Sequence, residues 1–171
     1  IKESYEIIEI DSTLSNVTYN FFVEIMKIIK PGMYESEIHS IIDKIIVSNN
    51  CNHAFDPICT VKGDILHNNY YTNILQKGQL LLVDAGAESS NLYATDITRT
   101  IPVSGKFSDV QKDIYNIVLD AQIEAIKNIR PGIKYIDIHQ KAAKKISEGL
   151  INLKLLKGNI YYILKVCIYP I

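Results

Sequence analysis

Apolar residues recur at helical spacing in four stretches of the chain. Between about 13 and 30, Phe21, Phe22, Ile25, Ile28 and Ile29 fall three or four apart, the period of one buried helix face. Pro31-Gly32 interrupts the pattern, and Ile38, Ile41, Ile42, Ile45 and Ile46 then form a second stripe. Later, Ser108 with Gln111 three residues on makes a capping box. Ile114, Ile117, Val118, Ala121 and Ala125 follow on one face, to about Ile129, and a last helix is predicted from about Tyr135 to Leu153. Between the two helix pairs the sequence is strand-like. FDPICTVKG and DILHNN read as short segments, and QLLLVDAGAE and LYATDITRTIPV as longer ones. Gly63-Asp64, Lys77-Gly78 and the Ser-Ser-Asn at 89–91 supply turns. The predicted unit is helix, helix, antiparallel sheet, an α+β class.

This unit begins to repeat at an offset of one hundred residues. KPGMYESEIHSII at 30–42 lines up with RPGIKYIDIHQKA at 130–142, pairing Pro31 with Pro131, Gly32 with Gly132, Ile38 with Ile138 and His39 with His139. An internal duplication is expected, with a first repeat at about 13–103 and a second at about 108–171. The competing explanation is that helix, Pro-Gly, helix is a common connection. The second copy is expected to be incomplete, because the counterpart of position 84 would be 84 + 100 = 184, beyond residue 171. The start IKESYEIIEI, without an initiator Met, also suggests a fragment of a longer protein.

Composition narrows the function classes. With 171 residues and 47% hydrophobic content the chain reads as one globular domain. A net charge of -1 and a pI near 6.5 argue against a nucleic-acid or anionic-membrane surface. No apolar run approaches the ~20 residues of a membrane span. Three cysteines, Cys51, Cys59 and Cys167, and no signal peptide fit a reducing cytoplasm. The 31 isoleucines weaken any strand assignment made from isoleucine content alone.

The candidate chemistry sits in LLVDAG and TDITRT. Asp84 and Asp96 lie twelve positions apart in otherwise strand-like sequence. Aspartate is disfavoured in strands, and a buried carboxylate needs a partner. With Ser90 at the middle of a hairpin turn, the two would lie directly opposite each other, Cβ atoms roughly 4.5–5.5 Å apart. Like charges that close call for a raised pKa or a cation between them. A hard divalent cation takes carboxylate oxygens and would resolve the conflict. The bland alternative is that each aspartate ends a strand or caps a turn.

The string LLLVDAGAE…YATDITRTIPVSGKFSDVQKDIYNIVLDAQ, with ILHN upstream and RPG downstream, resembles the pita-bread metallopeptidases (creatinase/aminopeptidase-like), and among them the Xaa-Pro aminopeptidases and prolidases. The likeness covers nearly all of residues 13–158. It implies a duplicated fold with a curved sheet around two divalent metal ions, usually manganese, with cobalt or zinc as alternatives. It implies Asp84 and Asp96 as metal ligands, Asp96 bridging, and His67 lining the substrate pocket. Peptides with proline at the second position would be substrates, hydrolysed by a metal-activated water, and the full-length protein would be a homo-oligomer. The family uses three further ligands, a His and two Glu, expected beyond residue 158. The tail NIYYILKVCIYPI holds neither residue type, so two of five ligands are present and activity of this chain alone is doubtful. Methionine aminopeptidase, or a non-catalytic peptide-binding module on the same fold, are the alternatives.

Other residues read more plainly. Thr98 shares the parity of Asp96 and would hydrogen-bond a carboxylate; Arg99 points the other way and suggests an ion pair. His39 and His139 suggest structural roles near the Pro-Gly turns. Cys51, His53, Cys59 and His67 could be drawn as a zinc site, but their spacing fits no standard pattern. Tyr70 and Tyr71 are pocket wall or plain loop aromatics.

Overall fold

The computed structural model describes residues 2–160 and Tyr162. Cys167 and the rest of the tail lie outside the described residues. The chain divides into two compact units, Ile1–Lys106 and Phe107–Ile171.

In the first unit the opening helix starts earlier than its apolar stripe predicts. Helix α1 spans Ser4–Thr13, a π-helical turn covers Leu14–Thr18, and α2 runs over Tyr19–Ile28. Tyr5, Ile7 and Ile8 of α1 face solvent, so that helix leaves no buried stripe in the sequence. Val17, Phe21, Phe22 and Ile25 do form one and are buried. After Pro31-Gly32, helix α3 (Glu35–Ser48) packs Ile38, Ile42 and Ile46 into the same core.

Strands β1 (Asn52–His53) and β4 (Ala87–Glu88) pair as a small ribbon. Strands β2 (Ile58–Thr60), β3 (Leu80–Ala85) and β5 (Ile97–Pro102) make an antiparallel sheet with β3 in the middle. Leu81, Val83 and Ala85 are fully buried in the core with the helices, and Leu80, Leu82 and Asp84 alternate onto the other face. Two expected strand segments are corrected here. DILHNN forms turns, with His67 at φ 53°, and LYAT contributes only an isolated bridge, Glu88 with Ala94.

One charged residue lies wholly inside this unit. Glu35, at the start of α3, is 0% exposed. Its carboxylate accepts hydrogen bonds from Thr60 Oγ1 (2.9 Å), Val61 N (2.8 Å), Asn73 N (3.0 Å) and Asn73 Nδ2 (2.9 Å). Four donors offset the desolvation of the buried group.

The second unit is a helix pair, α4 (Asp109–Asn128) and α5 (Tyr135–Asn152). The capping box forms: Ser108 N donates to Gln111 Oε1 at 2.9 Å and Gln111 N to Ser108 Oγ at 3.3 Å. Gly149 of α5 leaves room for Ile117, whose side chain would lie 2.6 Å from an added Cβ. Val118, expected on the buried face, is instead 54% exposed. The helix ends recur at the hundred-residue offset: α2 ends at Ile28 and α4 at Asn128, α3 begins at Glu35 and α5 at Tyr135. Gly32 and Gly132 sit between them at φ 95° and 87°, a region that favours glycine.

Candidate metal centre

Asp84 occupies the central strand on the face away from the core. Its ladder partners are Ile58 on β2 and Thr98 on β5. Thr98 Oγ1 donates to Asp84 Oδ1 at 2.8 Å, fixing the carboxylate. The register departs from the direct opposition of Asp84 and Asp96 that the sequence suggests. The turn centres on Asn91 rather than Ser90, with Leu92 in the left-handed region at φ 65°. Asp96 therefore sits two residues before the partner of Asp84, just ahead of β5. Moving two residues along a strand keeps a side chain on the same face, and both carboxyls line one cavity. Partial burial first, and then the neighbouring Asp84 carboxyl through its charge and its hydrogen-bonding capacity, raise the Asp96 pKa above its ordinary value.

Gly86 makes this arrangement possible. An added Cβ there would lie 1.8 Å from the Thr95 carbonyl oxygen and 3.3 Å from Asp96 Cα. The glycine of VDAG lets the segment bearing Asp96 cross close to the end of β3.

A cavity of about 400 Å³ opens on the pair, lined by Phe55, Asp56, Ile58, His67, Asn69, Asp84 and Asp96. His67 reaches it from a turn. Of the other candidates, Tyr71 donates to Pro57 O at 2.5 Å and stacks on His39, with ring centroids 4.1 Å apart. Tyr70 is 75% exposed. Arg99 donates Nη1 to Thr98 O at 2.7 Å in place of the expected ion pair. The residues of the discarded zinc drawing go separate ways. His53 Nε2 lies 2.8 Å from Asp43 Oδ1, where His39 Nδ1 also approaches Asp43 at 3.3 Å. Cys59 is buried, and burial pushes its thiol up to about 12. His139 is exposed on α5. Among the described residues no three His, Cys, Asp or Glu side chains are grouped to hold a metal.

The donor set at the sheet suits a hard divalent cation. Two oxygen-only ligands face one cavity, and a cation between them would offset both the burial and the Asp84 charge that lift the Asp96 pKa. The sequence profile of metallopeptidase family M24 matches residues 13–164. The chain belongs to metallopeptidase family M24. Among curated relatives, the probable Xaa-Pro aminopeptidase PEPP of Phaeosphaeria nodorum is 34% identical over 167 residues, 96% of this chain and 36% of that protein. Xaa-Pro aminopeptidase 1 of Streptomyces coelicolor is 42% identical over 91 residues, 53% of this chain and 18% of that protein. Aminopeptidase PepP of Pseudomonas aeruginosa superposes with a TM-score of 0.91 at 28% identity, covering 98% of this chain and 38% of that one. A zinc-substituted Escherichia coli aminopeptidase P in complex with product gives 0.89 at 29% identity, with 96% and 38% covered. The M24 chain described here thus has the pita-bread α+β fold and spans little more than a third of these structures.

No helix among the described residues is long and apolar enough to cross a membrane. The residues sequence reasoning missed at this site are Phe55, Asp56, Ile58 and Asn69 in the cavity wall and Thr95 behind Asp96.

Proposed function

We propose that this chain supplies part of the active site of a metal-dependent aminopeptidase that cleaves between an N-terminal residue and a following proline. The observation that carries the reading is the Asp84–Asp96 carboxyl pair facing a cavity beside His67. The relatives named as Xaa-Pro aminopeptidases support the substrate class.

In this reading Asp84 and Asp96 hold the divalent metals, and Thr98 keeps the Asp84 carboxylate turned toward them. When bound, such metals make a water more acidic at neutral pH and stabilise negative charge developing on the scissile carbonyl. His67 orients the peptide at the cavity wall, and Phe55 and Ile58 give that wall its apolar part. Manganese is the proposed metal, since carboxylate oxygens suit it, with cobalt or zinc as alternatives. The duplication of helix pairs, with repeats at about 13–103 and 108–171, and assembly as a homo-oligomer belong to the same proposal. A cytoplasmic setting is supported by the free thiols of Cys51 and Cys59.

The test is manganese titration of the 171-residue chain, alone and with Asp84→Asn or Asp96→Asn, alongside release of arginine from Arg-Pro-Pro. Two carboxylates should bind manganese weakly and at fewer than two ions per chain, and either substitution should abolish binding. Turnover should fall far below that of a complete enzyme. Binding indifferent to both substitutions would sink the metal site. Two ions held stoichiometrically, or rapid turnover, would overturn the account of which ligands are needed.

A further inference from the structure

The residue before Asp96 is gripped from a distant helix. Thr18 Oγ1 lies 2.6 Å from Thr95 Oγ1, and both residues are buried. Ala87 N donates to Thr95 Oγ1 at 2.9 Å, while Thr95 Oγ1 approaches Ala87 O at 3.2 Å. A hydroxyl has one proton to give. If Thr95 gives its proton to the Ala87 carbonyl, Thr18 must donate to Thr95, and all three contacts are then hydrogen bonds. The Thr95 backbone N–H also donates to Ala87 O, at 2.9 Å.

Thr18 is the last residue of the π-helical turn Leu14–Thr18. A π turn carries one residue more than an α turn and is frequent at functional sites. That extra residue changes the direction in which the next side chain leaves the helix, and here it points Thr18 at Thr95. The same helical stretch makes a second hold. Tyr93 Oη donates to Glu6 Oε1 at 2.9 Å. The Glu6 carboxyl is held below its usual range by the Glu3 backbone N–H and then by Tyr93, and Tyr93 is pushed up to about 12, chiefly by Glu6.

These contacts matter because the two aspartates are supported unequally. Asp84 has ladder partners on both sides, whereas Asp96 lies just outside β5. We propose that Thr18 is a positioning residue for Asp96: through Thr95, and with Glu6–Tyr93 as an outer hold, it sets where the Asp96 carboxylate meets a divalent cation. This rests on the metal reading above. It goes further in giving the opening helix and its π turn a role in the site. A purely structural Thr18 would affect metal binding only as far as it affects folding.

The test compares Thr18→Val, which keeps the shape and removes the hydroxyl, with Thr18→Ser, which keeps the hydroxyl and removes a buried methyl. Manganese affinity is read from broadening of the Asp84 and Asp96 amide signals, and stability from the melting temperature. Thr18→Val should weaken manganese binding by up to about tenfold, no more than the lower end of what losing a direct hydrogen bond to a metal ligand costs, since Thr18 acts through Thr95. Thr18→Ser should stay within about twofold of the parent despite a lower melting temperature. Affinity that tracks melting temperature across both variants, or Thr18→Val binding like the parent, overturns the proposal. If Thr18→Val does not fold, Tyr93→Phe replaces it, with about a threefold loss expected and no loss overturning the clamp. A parent chain that binds no manganese counts against the metal reading instead. The clamp is then judged on the Asp96 and Ala87 amide shifts in Thr18→Val: displacement supports it, and unchanged shifts overturn it.

Discussion

Asp84 and Asp96 are costly to the metal-free chain. The Asp96 pKa is raised, so the folded state holds its proton to higher pH than the unfolded state does. This contribution to stability is present below the ordinary carboxylate value and is lost as pH rises through the raised one. Asp84→Asn removes the repelling charge. It should raise the metal-free melting temperature at neutral pH by roughly 1–3 °C, a small gain because Asp96 is exposed. Calorimetry at neutral pH and near pH 3 would check it, with the gain shrinking in acid. The aspartates stood out because a carboxylate pair inside strand-like sequence needs an explanation, Thr98 by its parity and His67 only through the family resemblance; the structure puts Asp84, Asp96 and His67 on one cavity and Thr98 on Asp84. Glu35 did not stand out, because a glutamate in the first turn of a helix normally reads as a solvated end. Glu35→Ala strands four donors and should cost roughly 3–5 kcal/mol, measurable by urea denaturation.

At the scale of elements, pattern reading succeeded where one face is buried and failed where none is. The stripes of α2 and α3 were read correctly because Phe21, Ile25, Ile38 and Ile42 all enter the core. Helix α1 buries only Thr13 and so left no periodic signal. The hairpin register was displaced by two residues because the sequence does not reveal that Leu92, rather than a glycine or asparagine, adopts the left-handed turn conformation. Its consequence was mild, since a shift of two preserves the face. Gly86→Ala tests how tightly the hairpin arm is held. With 1.8 Å between an added Cβ and the Thr95 carbonyl oxygen, the backbone must move. A loss of roughly 1–3 kcal/mol is expected, together with weaker manganese binding. Thermal melts and metal titration of one preparation would read both.

For the molecule as a whole, the fold class was legible because two motifs, VDAG and DITRT, occur in order between two helix pairs. The π turn, the β1–β4 ribbon and the buried Glu35 were not, because each depends on contacts between residues far apart in the chain. The second unit leaves apolar side chains in solvent on α4 and just after it, with Val118 54%, Ile126 60% and Ile129 65% exposed. Surface of this kind promotes association. The 171-residue chain should self-associate with rising concentration, and Val118→Lys with Ile126→Lys should reduce that. Sedimentation velocity at several concentrations would decide, and a parent chain monomeric throughout would refute the expectation.

The Glu35 carboxylate also closes a ring. It ties Thr60 and Val61 at one end of a loop to Asn73 at the other, with His67 on the stretch between. Within a ring already shut at its base, added length is cheap: doubling a flexible loop costs only about 0.6 kcal/mol in closure entropy. The segment around Gly63 and Asp64 is therefore a place where insertions and deletions can accumulate over evolutionary time while the sheet beneath stays intact. Two glycines inserted after Gly63 should leave the melting temperature within about 2 °C, whereas the same insertion in a Glu35→Gln chain should not be tolerated as well.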